Sequence, residues 1–181
     1  MPTGVRLART SDVDRIAAIQ VRTWRGLYGS LLQEAGIALE VADVAQAWAT
    51  AILAPPSPTM RVLVATDGED VVGFAAIGPS LDHDLTGDCG EIHALVVDAT
   101  AVGAGHGSRL MAASIDHLRA AGYQSAATWT LLIDEPRRAF WQSAGWVPDS
   151  ARRTLGGAGD PDQETGTVTE VRLVVDISAD S

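Results

Sequence analysis

Ala94-Leu95-Val96-Val97-Asp98-Ala99-Thr100-Ala101-Val102-Gly103-Ala104-Gly105-His106-Gly107-Ser108-Arg109-Leu110 passes from an apolar strand, through a turn holding three glycines, into an amphipathic helix. A turn of this kind bares backbone N–H groups at a helix N-terminus, where the helix dipole also favours an anion. Glycine lets that backbone approach a phosphate with no Cβ in the way. The stretch therefore predicts a pyrophosphate site, and the residues around it decide whose pyrophosphate it is.

Before the turn, Gly90–Val97 reads as a strand, and simple alternation puts Glu91, His93, Leu95 and Val97 on one face and Ile92, Ala94 and Val96 on the other. After it, Leu110, Met111, Ile115 and Leu118 form the apolar stripe of a helix that Gly122 ends. Further upstream, Arg61–Thr66 and Val71–Ile77 flank Asp67-Gly68-Glu69-Asp70, a strong hairpin signal. A short strand at Val5–Ala8 opens the chain. A helix follows, N-capped by Ser11 and running to about Leu27 where Gly26 and Gly29 loosen it, and a second spans about Glu40–Leu53 before Pro55-Pro56. Downstream come a strand over Ser125–Ile133, a helix over Pro136–Ala144, and strands at Trp146-Val147 and Val168–Ile177. The Gly-rich acidic segment Leu155–Gly166 between the last two reads as a mobile loop. The order β-α-α-β-β-β-α-β-α-β-β describes a mixed α/β sheet, and 181 residues at 46% apolar content suit one domain over residues 1–181.

Composition narrows the partners. Thirteen basic against 23 acidic side chains leave a net charge of −10, which argues against nucleic acid and against an anionic membrane surface. The same charge suits a cationic amine, or solubility alone. A single cysteine, Cys89, gives no intrachain disulfide framework and fits a reducing compartment. No signal-like N-terminus and no bilayer-length apolar run is present, so the expected location is the cytoplasm. The four histidines lack metal-ligand spacing, and no metal is expected.

Two nucleotide readings of the turn fail. Dinucleotide folds use Gly-x-Gly-x-x-Gly in a first βα unit, whereas Ser108 holds the last position here and two helices and three strands precede it. A P-loop needs Gly-Lys-Ser/Thr, and the turn has no Lys.

Three stretches together resemble the GNAT superfamily of acyl-CoA-dependent N-acyltransferases. Glu91–Asp98 is similar to the family's fourth strand, and Val102–Leu110 to its pyrophosphate loop. Asp134-Glu135-Pro136-Arg137-Arg138-Ala139-Phe140-Trp141-Gln142-Ser143-Ala144-Gly145-Trp146 is similar to its Asn-x-x-Ala-x-x-Phe-Tyr-x-x-x-Gly-Phe motif. The resemblance implies a mixed, mostly antiparallel sheet of about seven strands flanked by four helices, with acetyl-CoA as co-substrate. It implies that Val102, Gly103, Ala104, Gly105, His106, Gly107 and Ser108 cradle the pyrophosphate, with Arg109 adding charge nearby. Leu95, Val96 and Val97 would pair with the pantetheine arm as a strand partner, and Asp134, Arg138 and Trp141 would complete the cofactor site. The Leu95 amide is the candidate donor to the thioester carbonyl.

Acyl transfer to an amine needs a base, because an alkylammonium has a pKa of about 10.4. Glu91 is the candidate, with partial burial expected to raise its pKa; the alternative is a carboxylate held in structural hydrogen bonds. His93 is a candidate relay, or a strand histidine satisfied by its neighbours. Trp141 stands where the family pattern has a Tyr that protonates the departing thiolate, and indole is no proton source; Tyr28 is the candidate substitute acid. Trp24, Tyr28, Glu91 and His93 are the candidate acceptor contacts, with Asp82, Asp84 and Asp88 on the following loop able to draw a cationic amine. Trp48, Trp129 and Trp146 are assigned to packing, and Asp98 to the turn after the strand. The implied activity is N-acetylation of a primary amine by direct attack in a ternary complex, with homodimerisation as an analogy only. Its rivals are a CoA-binding sensor without chemistry and a peptide N-acetyltransferase.

Overall fold

The central hairpin forms where Asp67-Gly68 places it: β2 (Arg61–Asp67) and β3 (Asp70–Pro79) pair antiparallel, and Gly68 adopts a φ of 61° in the turn. The computed structural model describes residues 2–34, 36, 38–155 and 167–178. Around the hairpin stand β1 (Thr3–Leu7), α1 (Val13–Glu34), α2 (Val41–Leu53), β4 (Cys89–Val97), α3 (His106–Ala120), β5 (Ser125–Leu131), α4 (Glu135–Ser143), β6 (Val147–Leu155) and β7 (Val168–Asp176). The element order is the one read from the sequence. The sheet runs β1-β2-β3-β4-β5-β7-β6, antiparallel throughout except for β4 against β5. Among the described residues, no helix is long and apolar enough to cross a membrane.

Alternation along β2 and β3 sorts the core into two layers. Leu63, Ala65, Ala75 and Ile77 pack under Leu110 and Leu118 of α3, while Val64 and Phe74 on the opposite face pack under Ile16 and Ile19 of α1. Trp146, 1% exposed, lies in the α3 layer as expected, with Trp141 edge-on 4.8 Å away. Trp48 also packs as expected, against Phe74, and its indole N–H donates to Gln20.

Several boundaries differ from the sequence reading, among them β6, which runs over Val147–Leu155 rather than Trp146-Val147, and both ends of α1. α1 continues to Glu34, past Gly26 and Gly29, since a glycine in a long helix costs only about 1 kcal/mol. Its start is organised by Asp12 rather than Ser11: the Asp12 carboxylate accepts from the Arg9 amide at 2.7 Å and pairs with Arg6. The expected loop over residues 156–166 lies outside the described residues.

β4 does not alternate simply. Its register against β3 slips between Ile77↔Ile92 and Ala76↔Ala94, leaving His93 as an extra residue. The bulge puts Ile92, Leu95 and Val97 together on the α3 face, with Ala94 and Val96 under α1. The face expected for Glu91, His93, Leu95 and Val97 is therefore split. Beyond the bulge the sheet also opens, since β4 and β5 pair only through Cys89–Glu91 against Ser125–Ala127.

Candidate active site

The glycine turn folds as its residues require. Gly103 and Gly105 take φ values of 87° and 79°, a region closed to most side chains, and Gly105 caps α3 directly. A Cβ on Gly107 would sit 3.3 Å from the Phe140 ring, so the turn and α4 close on one another. Between them lies a cavity of about 460 Å3 lined by Val102, Gly103, Gly105, Gly107 and Ser108 from the turn and by Asp134, Arg137 and Phe140 from α4. Leu95 and Val97 form its floor. His106 is 1% exposed and lines it too, with Nδ1 3.2 Å from Arg109, whose guanidinium also donates to the Ala104 carbonyl at 2.8 Å. Arg109 therefore braces the turn.

Four residues expected to contact the cofactor, Val96, Ala104, Arg138 and Trp141, do not line this cavity. Ala104 faces a separate surface pocket beside Arg15 and Asp70. Arg138 is outside the lining of the anion cavity; its neighbour Arg137 turns into the cleft, because Asp134 caps α4 and holds the Arg137 amide and guanidinium, each at 3.1 Å. Trp141 is 2% exposed and meets a second cavity rather than the anion cavity.

That second cavity, about 390 Å3, opens on the other side of the split between β4 and β5. Trp24 and Tyr28 reach it from α1, four residues apart with rings 6.1 Å between centroids, as their spacing predicted. His93 lines it from the bulge. Glu91 does not: it is 5% exposed behind His93, with Oε1 3.2 Å from Nδ1 of the imidazole and Oε2 accepting from the Ser80 hydroxyl at 3.0 Å. Burial pushes its carboxyl up, but His93, Ser80 and the Arg153 charge outweigh that and hold it below the usual carboxylate range. The expected rise does not occur, because desolvation comes here with partners. Burial raises the Tyr28 phenol above its ordinary value, helped by the nearby Glu170 carboxylate.

The carboxylates expected to attract a cationic amine are already engaged. Arg172, 4% exposed on β7, takes Asp82, Asp84 and Asp149 at 2.6–3.0 Å, and Asp88 accepts from Thr86. Trp129 is not simply packed. Its N–H donates to Asp82, and Arg153 lies 4.4 Å over its ring at the cavity wall. Arg153 and Glu170 face each other across β6 and β7 and join through Nε at 2.6 Å. Sequence reading missed Arg137, Arg153 and Glu170. Spacing held one signal, since Arg137 precedes Trp141 by four residues and shares its face. Burial pushes the Cys89 thiol up, consistent with no nucleophilic role.

Leu95 and Arg137 alone, among the described residues, line both cavities. The Arg137 guanidinium donates to the Leu95 carbonyl at 2.9 Å, on the β4 edge that β5 leaves unpaired. Among the described residues no cluster of side chains suited to hold a metal ion occurs.

The model of the acetyltransferase (GNAT) family matches residues 16–146. Among solved structures, an N-acetyltransferase from Staphylococcus aureus Mu50 superposes with a TM-score of 0.70 at 18% identity, covering 98% of this chain and 100% of that one. A Salmonella typhimurium protein described as an acetyltransferase, solved with acetyl-CoA, gives 0.68 at 18% identity, covering 99% and 96%. A ribosomal-protein-alanine N-acetyltransferase from Brucella melitensis gives 0.67 at 20% identity, covering 95% and 98%. At such identities the likeness shows the fold. No curated protein sequence matches the chain.

Proposed function

Because the chain belongs to the GNAT family and is thus an acyl-CoA-dependent acyltransferase, we propose that it transfers an acetyl group from acetyl-CoA to the primary amine of a small molecule by direct attack in a ternary complex. The observation that carries this reading is the meeting of the two cavities at Leu95 and Arg137. One side offers a glycine turn at the α3 N-terminus for a pyrophosphate. The unpaired β4 edge offers backbone groups to the amides of the pantetheine arm. The other side offers aromatic walls and an imidazole.

In this mechanism the amine nitrogen attacks the thioester carbonyl, and the Leu95 amide is the donor proposed for the oxygen that gains charge. His93 takes the amine proton. Its Nδ1 faces the Glu91 carboxylate, a pairing that requires the proton on Nδ1 and leaves Nε2 as the accepting nitrogen. Glu91 thus acts through His93 rather than on the amine.

Among the described residues the acceptor cavity is lined by two guanidinium groups, Arg137 and Arg153, and one carboxylate, Glu170. Arg153 joins Glu170 through Nε and lies over the Trp129 ring, and a guanidinium at the cavity wall suits a carboxylate. This favours an amine that carries its own negative group over a polycation. With acetyl-CoA supplied, release of free CoA should be greater with amino acids than with their carboxamides by about 10–100-fold in kcat/KM, the range of a hydrogen bond to a charged group. Arg153→Leu should erase that preference. Equal rates for acids and amides would sink the anionic-acceptor reading, and no CoA release with any amine would sink the enzymatic one.

A further inference from the structure

A thioester joins what the anion cavity binds to what the acceptor cavity receives, so the reacting bond has to lie where the two meet. The junction is built from Leu95, a side chain without charge, and Arg137. When the amine attacks, the new N–C bond forms, the C–S bond breaks, and its electron pair leaves on sulfur. A thiolate released in an apolar cleft needs either a proton or a nearby positive charge. Trp141, which shares the Arg137 face of α4 and lines the acceptor side of the cleft, has an indole N–H that serves neither purpose. Tyr28 reaches the acceptor cavity but not the anion cavity. The cation at the junction is Arg137.

We propose that Arg137 is a catalytic residue that stabilises the departing CoA thiolate by its fixed charge, so that the leaving group departs unprotonated. The side chain is prepared for this work. Asp134 grips its Nε at 3.1 Å and the Leu95 carbonyl takes one Nη at 2.9 Å, which fixes the plane of the guanidinium at the mouth of the split sheet. Two of its five N–H donors are thereby engaged, and the side chain, 31% exposed, lines both cavities. A guanidinium does not surrender its proton in a protein, so it acts by charge and hydrogen bonding rather than as an acid. The amine proton goes to His93, and the thiolate collects a proton from water after release.

This inference rests on the acetyl-transfer reading, and its test separates the two. Free CoA bound to the wild-type protein and to Arg137→Met and Arg137→Lys is titrated while the ultraviolet absorbance of the thiolate is followed, with no acceptor present. On the wild type the bound thiol should ionise about 1–2 pH units below its value on Arg137→Met, with Arg137→Lys in between. In turnover, Arg137→Met should lower kcat about 100-fold, as loss of one fixed donor at a developing anion does, with the affinity for acetyl-CoA changed little. Thermal melting of the variants controls for folding. Equal thiol titration on all three proteins overturns the proposal, and so does a variant whose acetyl-CoA affinity falls while kcat holds, since that marks Arg137 as a binding group. A shifted thiol without turnover on any amine would instead remove the acetyl-transfer reading and leave the thiolate site standing.

Discussion

His93→Gln is expected to lower kcat/KM by about 10²–10⁴-fold, the range lost with a positioned general base. Glutamine keeps a donor for Glu91 and much of the side-chain volume, yet it has no basic nitrogen. Acetyl-CoA affinity should hold, because His93 lines the acceptor cavity and not the anion cavity. Glu91→Gln should cost less, about 10–100-fold, since it weakens the grip on Nδ1 without removing the base. Glu91 is held below the usual carboxylate range, so it is already ionised where the enzyme works and does not set an acid limb there. The acid side of the kcat/KM profile should therefore be unchanged in Glu91→Gln. If the His93 variant keeps more than about a tenth of wild-type kcat/KM, far above what loss of a base allows, the assignment is wrong.

Asp98→Asn should be the most damaging of these substitutions to stability. The Asp98 carboxylate is fully buried and takes Arg15 at 3.0 Å, Arg22 at 2.9 Å, and the amide and hydroxyl of Thr100 at 3.2 and 3.0 Å. It fastens the middle of α1 to the end of β4, and α1 carries Trp24 and Tyr28. The two arginines are 42% and 52% exposed and can fall back on water, so the expected loss is about 2–3 kcal/mol rather than that of a wholly buried pair. Burial alone would raise this carboxyl; Thr100, Arg22 and Arg15 reverse that and hold it low. A group lowered on folding contributes stability above its unfolded value, about 3.9, and the contribution disappears as pH falls through the lower folded value. Urea midpoints should differ widely between wild type and Asp98→Asn near neutral pH and draw together as pH falls below the unfolded carboxylate value, about 3.9. A constant gap across that range would show that the charge is not what stabilises.

Much of this molecule is legible in its sequence because the signals are local. The Asp67-Gly68 hairpin, the stripe from Leu110 to Leu118, and the left-handed glycines at 103 and 105 each follow from a few adjacent residues. The site is legible only in outline. Alternation put His93 and Leu95 on one face, and a single bulge against Ala76 and Ile77 undid it, a register choice made by the partner strand. Burial of Glu91 was foreseeable, but the sign of its shift depended first on His93, turned toward it at the bulge, and then on Ser80 and Arg153, residues 11 back and 62 ahead in sequence. Asp82 and Asp84 read as free carboxylates until β7 placed Arg172 among them. Long-range pairing sets the charge of this cleft, and pairing across the sheet is what one strand's residues reveal least.

The three-residue ladder between β4 and β5 has one more consequence. It makes the protein a pair of partial sheets joined at a narrow hinge, and the co-substrate becomes the missing mortar between them. Occupancy should then be felt as cohesion: saturating acetyl-CoA raises the melting temperature by mass action and slows amide exchange in β5 and β7 more than in β2 and β3. Loading the cleft would complete the architecture as well as deliver the acyl group.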